Sequence, residues 1–138
     1  MIIKNNEIES IGKFLLELPL RGRQSLMRTR FVKLLQARLD LQNEERQQLI
    51  NEFAQKDEHG EFVYSQDESG QEGLKINDPK EFNREMIKLM TEDFIIEESE
   101  DKREMFTELK DVIVNYDEEI SGDKAMVYDA LYELFDEV

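Results

Sequence analysis

The sequence predicts a predominantly helical α+β protein, with about five helices and a small antiparallel sheet built from a hairpin near 61–76 and a short strand near 94–97. Three observations carry that expectation. Apolar residues recur every three or four positions over most of the 138 residues. The rhythm lapses between Glu61 and Ile76, where short apolar tripeptides flank a polar stretch. Helix starts and breakers such as Pro19, Gly22, Asp78-Pro79 and Ser121-Gly122 separate the rhythmic segments.

Taken in order, Ile2 and Ile3 suit a short opening strand, and Ile8, Ile11, Leu15 and Leu18 then define a helix for which Asn6 is the expected N-cap. A long helix follows over roughly 24–55. Its stripe of Met27, Phe31, Leu35, Leu39, Leu49 and Phe53 thins out between Gln42 and Gln47, so the helix either runs past the edge of the core or bends there. Asp57-Glu58-His59-Gly60 ends it. Phe62-Val63-Tyr64 and Leu74-Lys75-Ile76 read as strands around a mobile polar loop near 65–73. Asp78-Pro79-Lys80-Glu81 combines an acid at the cap, proline at the first helical position and glutamate at the third, and starts a helix that lasts to about Thr91. Phe94-Ile95-Ile96 suits a third strand beside the hairpin. Two closing helices take their stripes from Met105, Phe106, Leu109 and Ile113, and from Val127, Leu131, Leu134 and Phe135, with Ser121-Gly122-Asp123 between them offering an N-cap and an acid in the first turn. The length suits one domain spanning 1–138.

Composition excludes several chemistries. With no cysteine, disulfides, thiolate nucleophiles and zinc–thiolate sites all drop out. The N-terminus lacks a basic stretch leading into an apolar one, and no apolar run approaches a bilayer span, so a cytoplasmic protein without membrane contact is expected. Glycine-rich phosphate cradles and the Gly-x-Ser-x-Gly elbow are missing. The one histidine, His59, sits in a polar turn with no second His to complete a site, and reads as solvated. Asp67-Glu68-Ser69-Gly70 and Asp117-Glu118-Glu119 fail the calcium-loop pattern: the first has Glu72 where glycine is needed, the second Tyr128 where the closing acid is needed. Neither a catalytic residue, nor a cofactor, nor a metal ligand is assigned, and an enzyme is not expected.

Charge is the remaining signal. Residues 1–56 hold ten Lys/Arg against seven Asp/Glu, a net of +3; residues 57–138 hold eight against 26, a net of −18. No acid falls between Glu17 and Asp40. Arg21, Arg23, Arg28 and Arg30 there gather at the N-terminal end of the long helix, where amide groups and the helix dipole favour an anion or an acidic partner. The competing reading is internal, with these arginines facing the acidic C-terminal helices. On the acidic side, Glu97, Glu98, Glu100 and Asp101, and then Asp117, Glu118 and Glu119, are candidates for contact with a basic protein surface, and carboxylates at helical spacing could imitate a phosphate backbone. The same excess opposes direct binding of nucleic acid.

The stretch from Phe14 to Leu35, with Pro19-Leu20-Arg21-Gly22-Arg23 at its middle, resembles small bacteriophage proteins of the domain of unknown function 1617 family, as do the Lys56-Asp57-Glu58-His59-Gly60 turn and the Leu/Tyr-rich helix after Ser121-Gly122. The resemblance implies a phage or prophage origin and a Gram-positive-type host; it brings no activity and no catalytic residues. Together with the charge layout it leads to the expectation of a non-enzymatic phage protein in the host cytoplasm. Its acidic surface would bind and modulate a host protein, an anti-phage defence protein among the candidates. The alternative is a virion-assembly chaperone or minor structural protein, docking through the basic helix onto a partner or a second copy of itself.

Overall fold

Strand β1 (Ile2–Lys4) runs without a loop into helix α1 (Asn5–Leu16). In the computed structural model, which describes all residues from Met1 to Val138, there follow α2 (Gly22–Phe53), β2 (Tyr64–Gln66), β3 (Glu72–Leu74), α3 (Pro79–Thr91), β4 (Asp93–Ile95), α4 (Arg103–Val114) and α5 (Asp123–Asp136), with a short 3-10 turn over Glu100–Lys102. The class is the expected one: five helices dominate, and the β structure is small and antiparallel. Backbone proximity groups the chain into two compact units, Met1–Asp40 with Glu92–Val138, and Leu41–Thr91.

The first unit holds α1, the N-terminal half of α2, α4, α5 and a two-stranded ribbon. Its core is one cluster to which every helix contributes: Ile11 and Leu15 from α1, Met27 and Phe31 from α2, Phe106 from α4 and Phe135 from α5 are all essentially sealed from solvent. Fully burying one such side chain contributes roughly 1.5–3 kcal/mol. Phe31, Phe106 and Phe135 form an aromatic chain with centroids 5.6 and 6.5 Å apart.

The ribbon corrects one expectation. The Phe94–Ile96 segment does not join the hairpin; β4 pairs antiparallel with β1, placing Ile2 opposite Ile95, Ile3 opposite Phe94 and Lys4 opposite Asp93. Period-two alternation decides which faces turn inward. Ile3 is buried and Phe94 half-buried, while Ile2 and Ile95 form an exposed pair. Lys4 and Asp93 add an ion pair at the end of the ribbon. The cap of α1 shifts for the same reason. Because β1 feeds straight into the helix, Lys4 is the N-cap residue, its backbone N–H donates to Glu7 Oε2 at 3.3 Å, and Asn5 is buried where Arg38 Nε donates to its Oδ1 at 2.9 Å. Within the Ser121-Gly122-Asp123 segment, Gly122 is the N-cap of α5 and Asp123 the acid of its first turn.

The second unit begins with the C-terminal half of α2. Gln42, in the stretch where the apolar stripe thins, is buried there and places Nε2 3.1 Å from Met90 Sδ of α3. The polar stretch therefore coincides with the passage of α2 from one unit into the other. Ala54 and Leu89 are buried, and Phe53 packs on Phe82 with centroids 5.7 Å apart. As expected, α3 starts on Asp78-Pro79, with Glu81 N–H donating to Asp78 Oδ1 at 3.4 Å.

Between these helices the backbone closes a ring. Gln55 N–H donates to Lys75 O at 2.8 Å, Lys75 N–H to Val63 O at 2.9 Å, and Val63 N–H to Gln55 O at 2.9 Å. Antiparallel bridges flank the ring on all three sides, at Ala54–Ile76, Lys56–Phe62 and Tyr64–Leu74. The loop expected over 65–73 is tighter than anticipated, because β2 and β3 extend into it and leave Asp67-Glu68-Ser69-Gly70-Gln71 as the turn. Asp67 Oδ1 accepts from Ser69 N–H and Gln71 N–H, each at 2.9 Å, and ten residues earlier Asp57 Oδ1 accepts from His59 N–H at 2.9 Å and Glu61 N–H at 3.0 Å. Both turns place glycine at positive φ, 77° at Gly60 and 82° at Gly70, where a side chain would be strained.

Candidate functional site

The arginines of α2 turn largely toward their own unit. Arg23 meets Glu104 of α4 in a two-pronged contact, with Nε 2.5 Å from Oε1 and Nη2 2.6 Å from Oε2. That hydrogen bond, reinforced by the opposite charges, lowers the Glu104 pKa and raises that of Arg23. Arg28 reaches back to the C-terminal end of α1, where its Nη1 donates to the carbonyl oxygens of Leu18 and, at 3.3 Å, Leu15. Leu15 O also accepts from Leu18 N–H at 3.3 Å and Leu18 O from Leu20 N–H at 3.0 Å, so the guanidinium adds a charged donor at the negative end of the α1 dipole. Arg30 and Arg21 make no ion pair and are exposed. Of the four basic candidates, then, Arg23 and Arg28 are spent on different internal partners.

The two acidic runs fare differently. They lie at opposite ends of α4, a helix of 12 residues and therefore about 18 Å long. At its N-terminal end, Glu98 stands 3.7 Å from the N-terminal ammonium, Glu100 bonds Arg103 at 2.5 Å, and Asp101 takes the Ser99 hydroxyl with Lys102 nearby. The Ser99 hydrogen bond, then the Lys102 charge, lowers the Asp101 pKa. Only Glu97 in this run is left without an ion pair. At the other end, Asp117, Glu118 and Glu119 are exposed in the α4–α5 connection, and none of the three forms an ion pair.

That second run borders a cavity of about 600 Å³ within the first unit, between the end of α1, the α4–α5 connection and the first turn of α5. Glu17, Glu118 and Glu119 line it together with Lys124, whose Nζ lies 3.2 Å from Glu17 Oε2. Phe14 and Tyr116 supply an aromatic wall, edge to face at 5.7 Å. Tyr128 stacks behind Tyr116 at 5.1 Å and anchors the wall through a 2.8 Å hydrogen bond from its hydroxyl to Ile113 O; burial raises its pKa. The size is that of a site for a small ligand or an inserted side chain. Four charged groups, three of them acids, give the lining a net charge of −2.

The remaining carboxylates singled out from the sequence have local duties. Asp67 Oδ1 accepts from the Ser69 hydroxyl and from the Gln71 and Ser69 backbone amides, which lowers the pKa of this carboxyl. His59 is exposed in its turn beside Glu58. No group of three or more His, Asp or Glu side chains is arranged to hold a metal ion. Sequence reasoning named Glu118 and Glu119 but missed Phe14, Glu17, Tyr116 and Lys124. Helical periodicity accounts for Phe14 and Tyr116 as core, and nothing local places the α1 terminus beside the α4–α5 connection.

The fold and site thus define a mainly helical α+β protein with an acid-lined, partly aromatic cavity in its first unit. Comparison with known proteins finds no matching family model, no matching curated protein and no matching solved structure. No helix is long and apolar enough to cross a membrane.

Proposed function

We propose that this chain is a non-enzymatic bacteriophage protein that acts in the host cytoplasm by binding a protein with a basic surface, as an inhibitor or modulator of host machinery such as an anti-phage defence protein. One observation supports the acidic surface as the working face. Residues 103–138 contain eleven acids, and only Glu104 among them is ion-paired. The three bases of that stretch are engaged elsewhere: Arg103 with Glu100, Lys124 with Glu17, and Lys110 with the carbonyl oxygens of Asp136 and Val138. Unpaired carboxylates in such number raise the encounter rate with a basic surface and reject acidic ones. The basic helix is weaker as a docking element, since Arg23 and Arg28 are already occupied.

The test is affinity capture from host cells with the wild-type chain and two charge variants. Glu118→Lys with Glu119→Lys is expected to lose a captured protein about tenfold, raised salt to release it, and Arg21→Gln with Arg30→Gln to leave it in place. Capture that depends on the arginines and ignores the glutamates would sink the proposal and favour assembly through the basic helix.

A further inference from the structure

We infer that the cavity between α1 and the α4–α5 connection receives an arginine side chain of the protein partner. The inference rests on the acidic-surface reading and names where on that surface the contact is made. Three features of the cavity converge on a planar cation. Its lining carries a net charge of −2, so an entering cation neutralises an excess instead of displacing one. Its wall offers the Phe14 and Tyr116 rings, against which a guanidinium packs as an ammonium does less well. Most telling, the chain already seats a cation of its own at the rim: Lys124 Nζ lies 3.2 Å from Glu17 Oε2.

That lysine also gives the site a built-in competitor. A second hollow, of about 230 Å³, shares Phe14, Glu17 and Lys124 with the first. The Lys124–Glu17 bridge therefore borders both hollows. Swinging Lys124 away frees the Glu17 carboxylate for the incoming guanidinium, in a cavity that Glu118 and Glu119 also line. Both partners of the bridge are more than half exposed, so it costs little to open. An arginine that takes over Glu17 exchanges one exposed ion pair for a two-pronged one against an aromatic wall.

The experiment is an amide NMR titration of the full chain at low salt with a short capped peptide of alternating glycine and arginine. Shifts are expected to concentrate on Glu17, Leu18 and the 116–124 segment. Glu118→Gln with Glu119→Gln should weaken binding about tenfold, and Lys124→Gln should strengthen it severalfold by releasing Glu17. The gain is the discriminating arm, because loss of folding cannot produce it. Shifts confined to the outer face of α5, at Asp129, Glu133 and Asp136, would overturn the cavity while leaving the acidic-surface reading intact. No shifts anywhere would overturn both. Weaker binding by Lys124→Gln would also refute the site, since it would make the lysine a ligand contact and not a competitor.

Discussion

At the scale of single residues, Arg28 separates a structural basic group from a binding one. Sequence alone places it in a run of four arginines with no acid nearby, which suits an anion site equally well. In the fold its Nη1 serves two carbonyl oxygens at the end of α1, Nη2 lies 3.4 Å from Ser25 Oγ, and Nε is buried without a partner. Arg28→Leu removes the charged donor while the carbonyls keep their backbone partners, Leu18 N–H on Leu15 O and Leu20 N–H on Leu18 O, so the loss is that of hydrogen bonds to a charged group, about 1.5–3 kcal/mol. A drop of that size in urea unfolding free energy is expected, against less than about 0.5 kcal/mol for Arg21→Leu at an exposed position with no hydrogen bond. Equal effects at both positions would show that Arg28 is as dispensable as a surface group. The contrast also explains the limits of a charge count. Spacing gathers Arg21, Arg23, Arg28 and Arg30 around the start of one helix, but the partners of Arg23 and Arg28, Glu104 and the carbonyls of Leu15 and Leu18, lie outside that helix.

At the scale of elements, the helices were legible and the β pairing was not. Ile8, Ile11 and Leu15, or Phe106, Leu109 and Ile113, repeat with a period that only a helix with one buried face explains, and all six are buried. Phe94-Ile95-Ile96 announces a strand, yet three residues contain no information about whether the hairpin or the Ile2–Lys4 strand, some 90 positions away, will pair with it. The same shortness hid the ring of hydrogen bonds among Gln55, Val63 and Lys75, because no segment there is long enough to alternate. The acid run at Asp117–Glu119 could be read directly, whereas the aromatic wall beside it needed the tertiary fold. The ring makes a prediction of its own. Each of its three amides donates to the next residue, so opening any one segment releases the others, and the amides of Gln55, Val63 and Lys75 should exchange with solvent at a common opening free energy. Lys75→Pro, which deletes one donor from the ring, should raise exchange at Gln55 and Val63 together, by tenfold or more if one hydrogen bond of about 1.4 kcal/mol is lost. Exchange that rises next to residue 75 and leaves Val63 unchanged would mean that the ring is three independent contacts.

At the scale of the whole molecule, the governing quantity is a net charge of −15 on 138 residues. Attraction and repulsion among surface charges compete here, and salt screens both. The attractions are nine ion pairs, most with substantially exposed partners, each contributing about 0–1 kcal/mol. The repulsions are more numerous and extend further. On α5, Asp129, Glu133 and Asp136 are spaced four and three residues apart, so they share one helix face, where like charges destabilise; none of them is ion-paired. Because the Debye length falls from about 30 Å at 0.01 M salt to about 10 Å at 0.1 M, the diffuse repulsions are screened before the contact pairs are. The melting temperature should therefore rise with added potassium chloride over that range, and Asp129→Asn combined with Glu133→Gln and Asp136→Asn should raise it at low salt while flattening its salt dependence. Thermal unfolding followed by circular dichroism measures both. A melting temperature that falls with salt would place the net electrostatic balance on the side of the ion pairs. It would remove the argument that these carboxylates are held in excess, available to a basic partner that neutralises them.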